Sequence, residues 1–200
     1  DDVMPTASEE PWDVISGADA GVINGFSGDN MFTYKYSHES GLNLTVGYIN
    51  ASDAVTDVSY SDYGVTYTGM DGLTLGYGEG DVENVTNTKS NESTLFAKYA
   101  IENTGFTIGI QMSEKDNESA SDVESTGIGV SYQVNDDLTI SYGSNTLEKT
   151  GSTDQEATAL GVSYTMGSLG ISLSMHQVDN IAHSGNNDRE GYQLGLSFAF

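Results

Sequence analysis

Three residues near the C-terminus are of types that could do chemistry together: His176, Asp179 and His183. An imidazole three residues from a carboxylate is the start of an acid–base pair, and a second imidazole adds a metal donor. No nucleophile or further ligand accompanies them. They read instead as ordinary residues: His176 at an inward strand position near an outer rim, His183 in a flexible loop. The acidic run Glu114, Asp116, Glu118, Asp122 and Glu124 could take Ca²⁺ through oxygen ligands. Its spacing is not that of an EF-hand, so a solvated charge run is the better reading. Gly76-Tyr77-Gly78-Glu79-Gly80 is strand glycine rather than a phosphate cradle, because no helix follows it. Five Asn-x-Ser/Thr triplets, starting at Asn43 and Asn50, are expected by chance in so polar a chain.

Composition narrows the field further. Thirty acids against six bases give a net charge of −24, which makes nucleic acid a very poor partner. Cations, or a lipopolysaccharide layer bridged by divalent metal, suit that surface better, although acidity can also serve solubility alone. There is no Cys, hence no disulfide framework. No run of 18 or more apolar residues marks a transmembrane helix. Abundant Gly and Tyr (24 and 12), with only 2 Pro, both within the first eleven residues, form a β composition. Asp1-Asp2-Val3-Met4-Pro5 is neither a signal peptide nor a usual start, so a removed leader or a longer chain is expected.

The elements that must position any site are strands. Tyr192, Leu194, Leu196, Phe198 and Phe200 alternate with Gln193, Gly195, Ser197 and Ala199. A period of two puts one set on each face, one large and apolar, the other small and almost uncharged. That suits a wall between lipid and an aqueous lumen. From Met31 the pattern recurs, as in Phe32/Tyr34/Tyr36, Leu42/Leu44/Val46/Tyr48, Leu95/Ala97/Tyr99/Ile101 and Phe106/Ile108/Ile110/Met112. It predicts eleven strands over 31–200, the first at 31–37. Short turns are expected at His38–Gly41, Met70–Gly72, Glu102–Gly105, Asn135–Asp137 and Gly167-Ser168. Long, mostly acidic loops are expected at about 51–58, 81–92, 113–124, 147–155 and 179–190. Short turns at one rim and long loops at the other describe an up-and-down transmembrane β-barrel, with Tyr near the strand ends as an aromatic girdle. Residues 1–30 lack the alternation and read as a long loop.

An odd strand number would force a parallel pair at the seam of a closed barrel, and an open eleven-strand sheet would leave unpaired backbone in lipid. The eleven strands are therefore expected to form part of a larger barrel, completed by N-terminal strands on the same chain or another. Lys35 and Lys98 appear as the only bases inside strands, both on the small face. Lipid-facing lysine would cost roughly 2–4 kcal/mol at the bilayer midplane.

The terminal Tyr192–Phe200 strand and the short-turn, long-loop order of 31–200 resemble the general diffusion porins of the Gram-negative outer membrane, alphaproteobacterial type. The resemblance implies a sixteen-strand barrel, a homotrimer and a passive channel for small hydrophilic solutes and ions. It also implies that residues 1–30 fold into the lumen as a constriction loop. Glu9, Glu10, Asp13 and Asp19, with Asp1 and Asp2, would then line the pore, and Trp12 would anchor the loop. Carboxylates in a narrow lumen raise the local cation concentration, so a cation preference is expected. Lys35 and Lys98 would be counter-charges to that loop, or would pair with an inward neighbour and select nothing. Tyr192, Leu194, Leu196, Phe198 and Phe200 resemble the signal read by the barrel assembly machinery. Outer-membrane lipid and lipopolysaccharide are the implied surroundings, and no catalytic residue, cofactor or metal is required. Two rivals stand beside this reading. One is a barrel hydrolase built on His176 and Asp179. The other is a secreted β-sandwich or adhesin with calcium-binding acidic loops, which would need charge on the small strand face.

Overall fold

A computed structural model of the chain describes residues 31–50, 58–84 and 89–199. The acids of 1–30, Trp12 and Phe200 lie outside these. The strands are β1 (Phe32–Ser37), β2 (Leu42–Ile49), β3 (Val58–Met70), β4 (Leu73–Asn84), β5 (Lys89–Ala100), β6 (Phe106–Asn117), β7 (Val123–Asn135), β8 (Leu138–Lys149), β9 (Gln155–Met166), β10 (Leu169–Asp179) and β11 (Arg189–Phe198). Each pairs antiparallel with its sequence neighbour, giving one eleven-stranded sheet in chain order. No α-helix occurs among the described residues.

The short connections are tight turns with turn chemistry. At Asp71-Gly72, Met70 pairs with Leu73 and Gly72 takes φ +74. A Cβ there would also lie 2.5 Å from the Ala100 carbonyl oxygen, so both backbone conformation and space call for glycine. Gly167 plays the same conformational part between β9 and β10, with φ +62.

Among the described residues the other connections are shorter than the alternation predicts. The stretches expected as loops at 113–124 and 147–155 are partly strand: β6 runs to Asn117, β7 begins at Val123, β8 runs to Lys149 and β9 begins at Gln155. Likewise β4 reaches Asn84 and β5 starts at Lys89. Strands β3 to β10 are 11 to 13 residues long, whereas about 9–11 tilted residues cross the lipid core. Their outer ends therefore stand above the apolar layer, where polar residues replace apolar ones without ending the backbone ladder. Alternation of charge, not of hydrophobicity, continues there.

The two faces differ as expected. Phe106, Ile108, Ile110, Met112, Ile128, Tyr142, Leu160 and Met175 are exposed on one face. Exposure of that face peaks on the sheet's edges, at Phe32 (68 %) and Tyr192 (82 %), where no further strand covers them. Among the described residues the buried apolar side chains are only Phe96, Ala157, Ala159 and Val178. An exposed apolar layer this extensive needs lipid, not a second protein layer. That removes the sandwich reading, which requires the large side chains to be covered.

Candidate functional site

The other face of the sheet carries the polar chemistry, in rows set by strand register. One row runs Asp62, Gly80, Glu92, Lys115, Val123, Lys149 across β3 to β8. Lys115 Nζ donates to Glu92 Oε1, with the Glu92 side chain almost fully buried and that of Lys115 one-third exposed. Burying a carboxylate is costly unless it is paired, and Lys115 supplies the pair. Gly80 sits between the two acids, and a Cβ on it would come within 3.0 Å of Asp62 Cβ.

The next two rows hold small hydroxyls and amides, Thr94, Ser113 and Ser125 in one and Gln111 and Asn145 in the other. Thr94 Oγ1 and Ser113 Oγ are 2.9 Å apart, and Gln111 Nε2 donates to both at 3.2 Å. Ser125 Oγ donates to Asn145 Oδ1 at 3.1 Å. All five are buried. These side-chain bonds tie neighbouring strands of the wall together between β5 and β8. Phe96 is a buried aromatic on this face, and its ring lies over Gly76: a Cβ at 76 would be 2.1 Å from Phe96 Cε1.

Lys35 and Lys98 both fall on this polar face, as expected, since Lys35 pairs with Thr45 and Lys98 with Gly109. They are not the only strand bases. Lys115, Lys149 and Arg189 occupy the same face, so five of the chain's six bases point there. The sixth, Lys89, is on the apolar-face register and pairs with Glu83 at 3.4 Å. Against these five bases, the described strands place only Asp62 and Glu92 on the polar face. Glu79, Asp81, Glu114, Asp116, Glu124, Glu148, Glu156 and Glu190 take the opposite register, beyond the apolar run. Glu79 there accepts hydrogen bonds from Tyr63 (2.7 Å) and Tyr77 (3.0 Å), two hydroxyls of the aromatic girdle. Lys115, Lys149, Asp62 and Glu92 were not legible as wall residues, because three of them lie in stretches that read as loops. The parity of Ser113/Lys115 against Glu114/Asp116 is the signal that would have found Lys115.

The acid–histidine pair does not assemble. His176 is on the polar face, paired with Gly191, where a Cβ would lie 2.5 Å from its Nε2. Asp179 has the opposite parity and accepts hydrogen bonds from Gln177 Nε2 at 2.9 and 3.2 Å. His183 is not in a free-standing loop: it is half-buried, its Nδ1 3.0 Å from the Thr153 carbonyl oxygen. Among the described residues no group of three or more His, Asp or Glu is arranged to hold a metal ion. Of the terminal-strand residues, Tyr192, Leu194, Leu196 and Phe198 all lie exposed on the apolar face.

A meandering sheet with lipid on one face and a charged polar wall on the other defines a barrel channel of the outer membrane. The chain belongs to the Gram-negative porin family, whose model matches residues 2–200. It is accordingly an outer-membrane porin of a Gram-negative bacterium. Its fold is similar to an anion-selective porin from Comamonas acidovorans (17 % identity, TM-score 0.76), covering 99 % of this chain and 67 % of that one. It is also similar to a porin refined at 1.8 Å resolution (15 % identity, TM-score 0.73), covering 100 % of this chain and 71 % of that one. OmpT of Vibrio cholerae matches at 15 % identity and a TM-score of 0.61, over 84 % of this chain and 63 % of that one. The chain thus spans about two-thirds of the length of these proteins. No curated protein sequence matches it.

Proposed function

We propose that the protein is a passive diffusion channel for small hydrophilic solutes and ions, doing no chemistry on them. The observation that carries this is the division of the sheet into an exposed apolar face and a face bearing charge and hydrogen-bonding groups. A wall of that kind lowers the barrier to hydrated solutes by electrostatics and width alone. Eleven of the sixteen strands implied by the resemblance is close to the share of the similar porins that the chain covers. This supports a barrel closed by further strands between the edges β1 and β11, with residues 1–30 entering the lumen as a constriction. A homotrimer and recognition of the terminal strand by the assembly machinery complete the proposal.

A cation preference is supported by the net charge of −24 and by the acids of 1–30. A specific observation favours the opposite sign: the described wall carries five bases against two acids. Planar-bilayer recording of the full-length porin across a KCl gradient separates the two. A reversal potential of cation-selective sign places control in the acids of 1–30. The opposite sign places it in the wall. Absence of any conductance from folded protein would sink the channel reading itself.

A further inference from the structure

The connection between β10 and β11 does not stand out into solvent. Asn180 turns the chain through φ +56, and the following residues fold back over the polar face of β9. Ile181 packs on Ala157, Ala159 and Val178, which are 1 %, 3 % and 0 % exposed. All three have polar-face parity: Val178 pairs with Ala157, and Ala159 with His176. The backbone N–H of Ala182 donates to Gln155 Oε1 at 2.9 Å, and Gln155 belongs to the same face. Asn180 Nδ2 donates to the Asp154 carbonyl oxygen at 3.0 Å, and His183 meets the Thr153 carbonyl. The loop is closed at its base by Ile181 N–H to the Asn187 carbonyl at 2.7 Å and by Asn180 N–H to Asp188 Oδ1 at 2.9 Å.

Ala182 and His183 both hold positive φ, +56 and +62. Left-handed backbone in two such residues persists only where the surroundings over-determine it. Here the apolar seat under Ile181 and the bonds to Gln155 and Thr153 supply that constraint. The small residues Ala157 and Ala159 leave room for Ile181 where larger side chains would not.

We propose that the loop Asn180–Asp188 is a second narrowing of the lumen at its outer mouth, anchored by Ile181, and that it sets the size of solute admitted there. This rests on the channel reading above. Seated on the wall, the loop presents Ala182 and Ser184 to Asp188, all exposed, in space that an outward loop would leave to water.

The test uses the full-length porin, in which residues 1–200 contain no Cys. Single-channel conductance is compared among the wild type, Ile181→Asp, which puts a charge in the apolar seat, and a variant with 181–187 shortened to two glycines. Both changes are expected to raise conductance roughly 1.5-fold or more and to speed uptake of larger sugars. Thiol labelling is independent of how those variants fold. With the loop seated, the thiol introduced by A157C should react with a polar maleimide at least about tenfold more slowly than one introduced by S172C on the same face. Equal labelling rates, or unchanged conductance in folded loop variants, would overturn the proposal. A wild-type protein that folds but never conducts would instead remove the channel reading beneath it.

Discussion

At the scale of single residues, space and charge decide. Gly76 has no room for a side chain beneath Phe96. Gly76→Val should therefore destabilise the barrel by about 1–3 kcal/mol, and Phe96→Ala in the same chain should recover part of it. Urea unfolding of protein refolded into vesicles measures both. Lys98 lies in a row that continues through Gly109, Gly129 and Gly143, so its charge is among the few that this band of the wall contributes. Lys98→Glu should shift the reversal potential toward cation permeation. An unmoved potential would show that Lys98 is held by a neighbour and selects nothing. The residues themselves were legible as inward because a lysine on the lipid face is too costly. Lys115 and Lys149 were not, since the apolar alternation that reveals parity has ended by the time the chain reaches them.

At the scale of the strand, the two faces obey different solvents. Ile110→Lys, in the exposed apolar run of β6, should cost roughly 2–4 kcal/mol if it lies near the midplane. Thr107→Lys, one face over on the same strand, should cost far less, and the same unfolding assay compares them. Beyond the apolar run, Glu124 stands directly between Glu114 on β6 and Glu148 on β8. Like charges in direct cross-strand register repel, by about 0.2–1 kcal/mol per pair. Glu124→Gln should therefore stabilise the barrel at low salt, and the gain should shrink as salt screens the pairs. A gain that does not depend on salt would mean that repulsion is not the cause. Turns were the most readable elements, because Asp71-Gly72 and Gly167-Ser168 advertise the backbone conformations they adopt.

At the scale of the whole molecule, charge is sorted rather than spread. A chain of net charge −24 directs five of its six bases to one face of the sheet and sends most of its strand acids to the other register, outside the apolar run. Net charge is therefore a poor guide to what this lumen favours. If the wall governs, neutralising Lys149 alone should lower anion permeability more than neutralising Lys89, which lies on the opposite register. Reversal potentials in the two variants would show it, and equal effects would argue that only the overall field matters.

By itself the sequence determined the strand class, the two-faced wall, the strand order and the short turns. Each follows from a period of two and from residues that tolerate few other backbone conformations. Tertiary structure alone decided how far the strands run beyond the lipid, which charges share a row and where the last loop lies. Register brings Glu92 beside Lys115 from 23 residues away, and the seat under Ile181 is built from two strands whose residues are only alanines and a valine in the chain. Pairing across a sheet is a contact between distant segments, and nothing local in either segment encodes the partner it will meet.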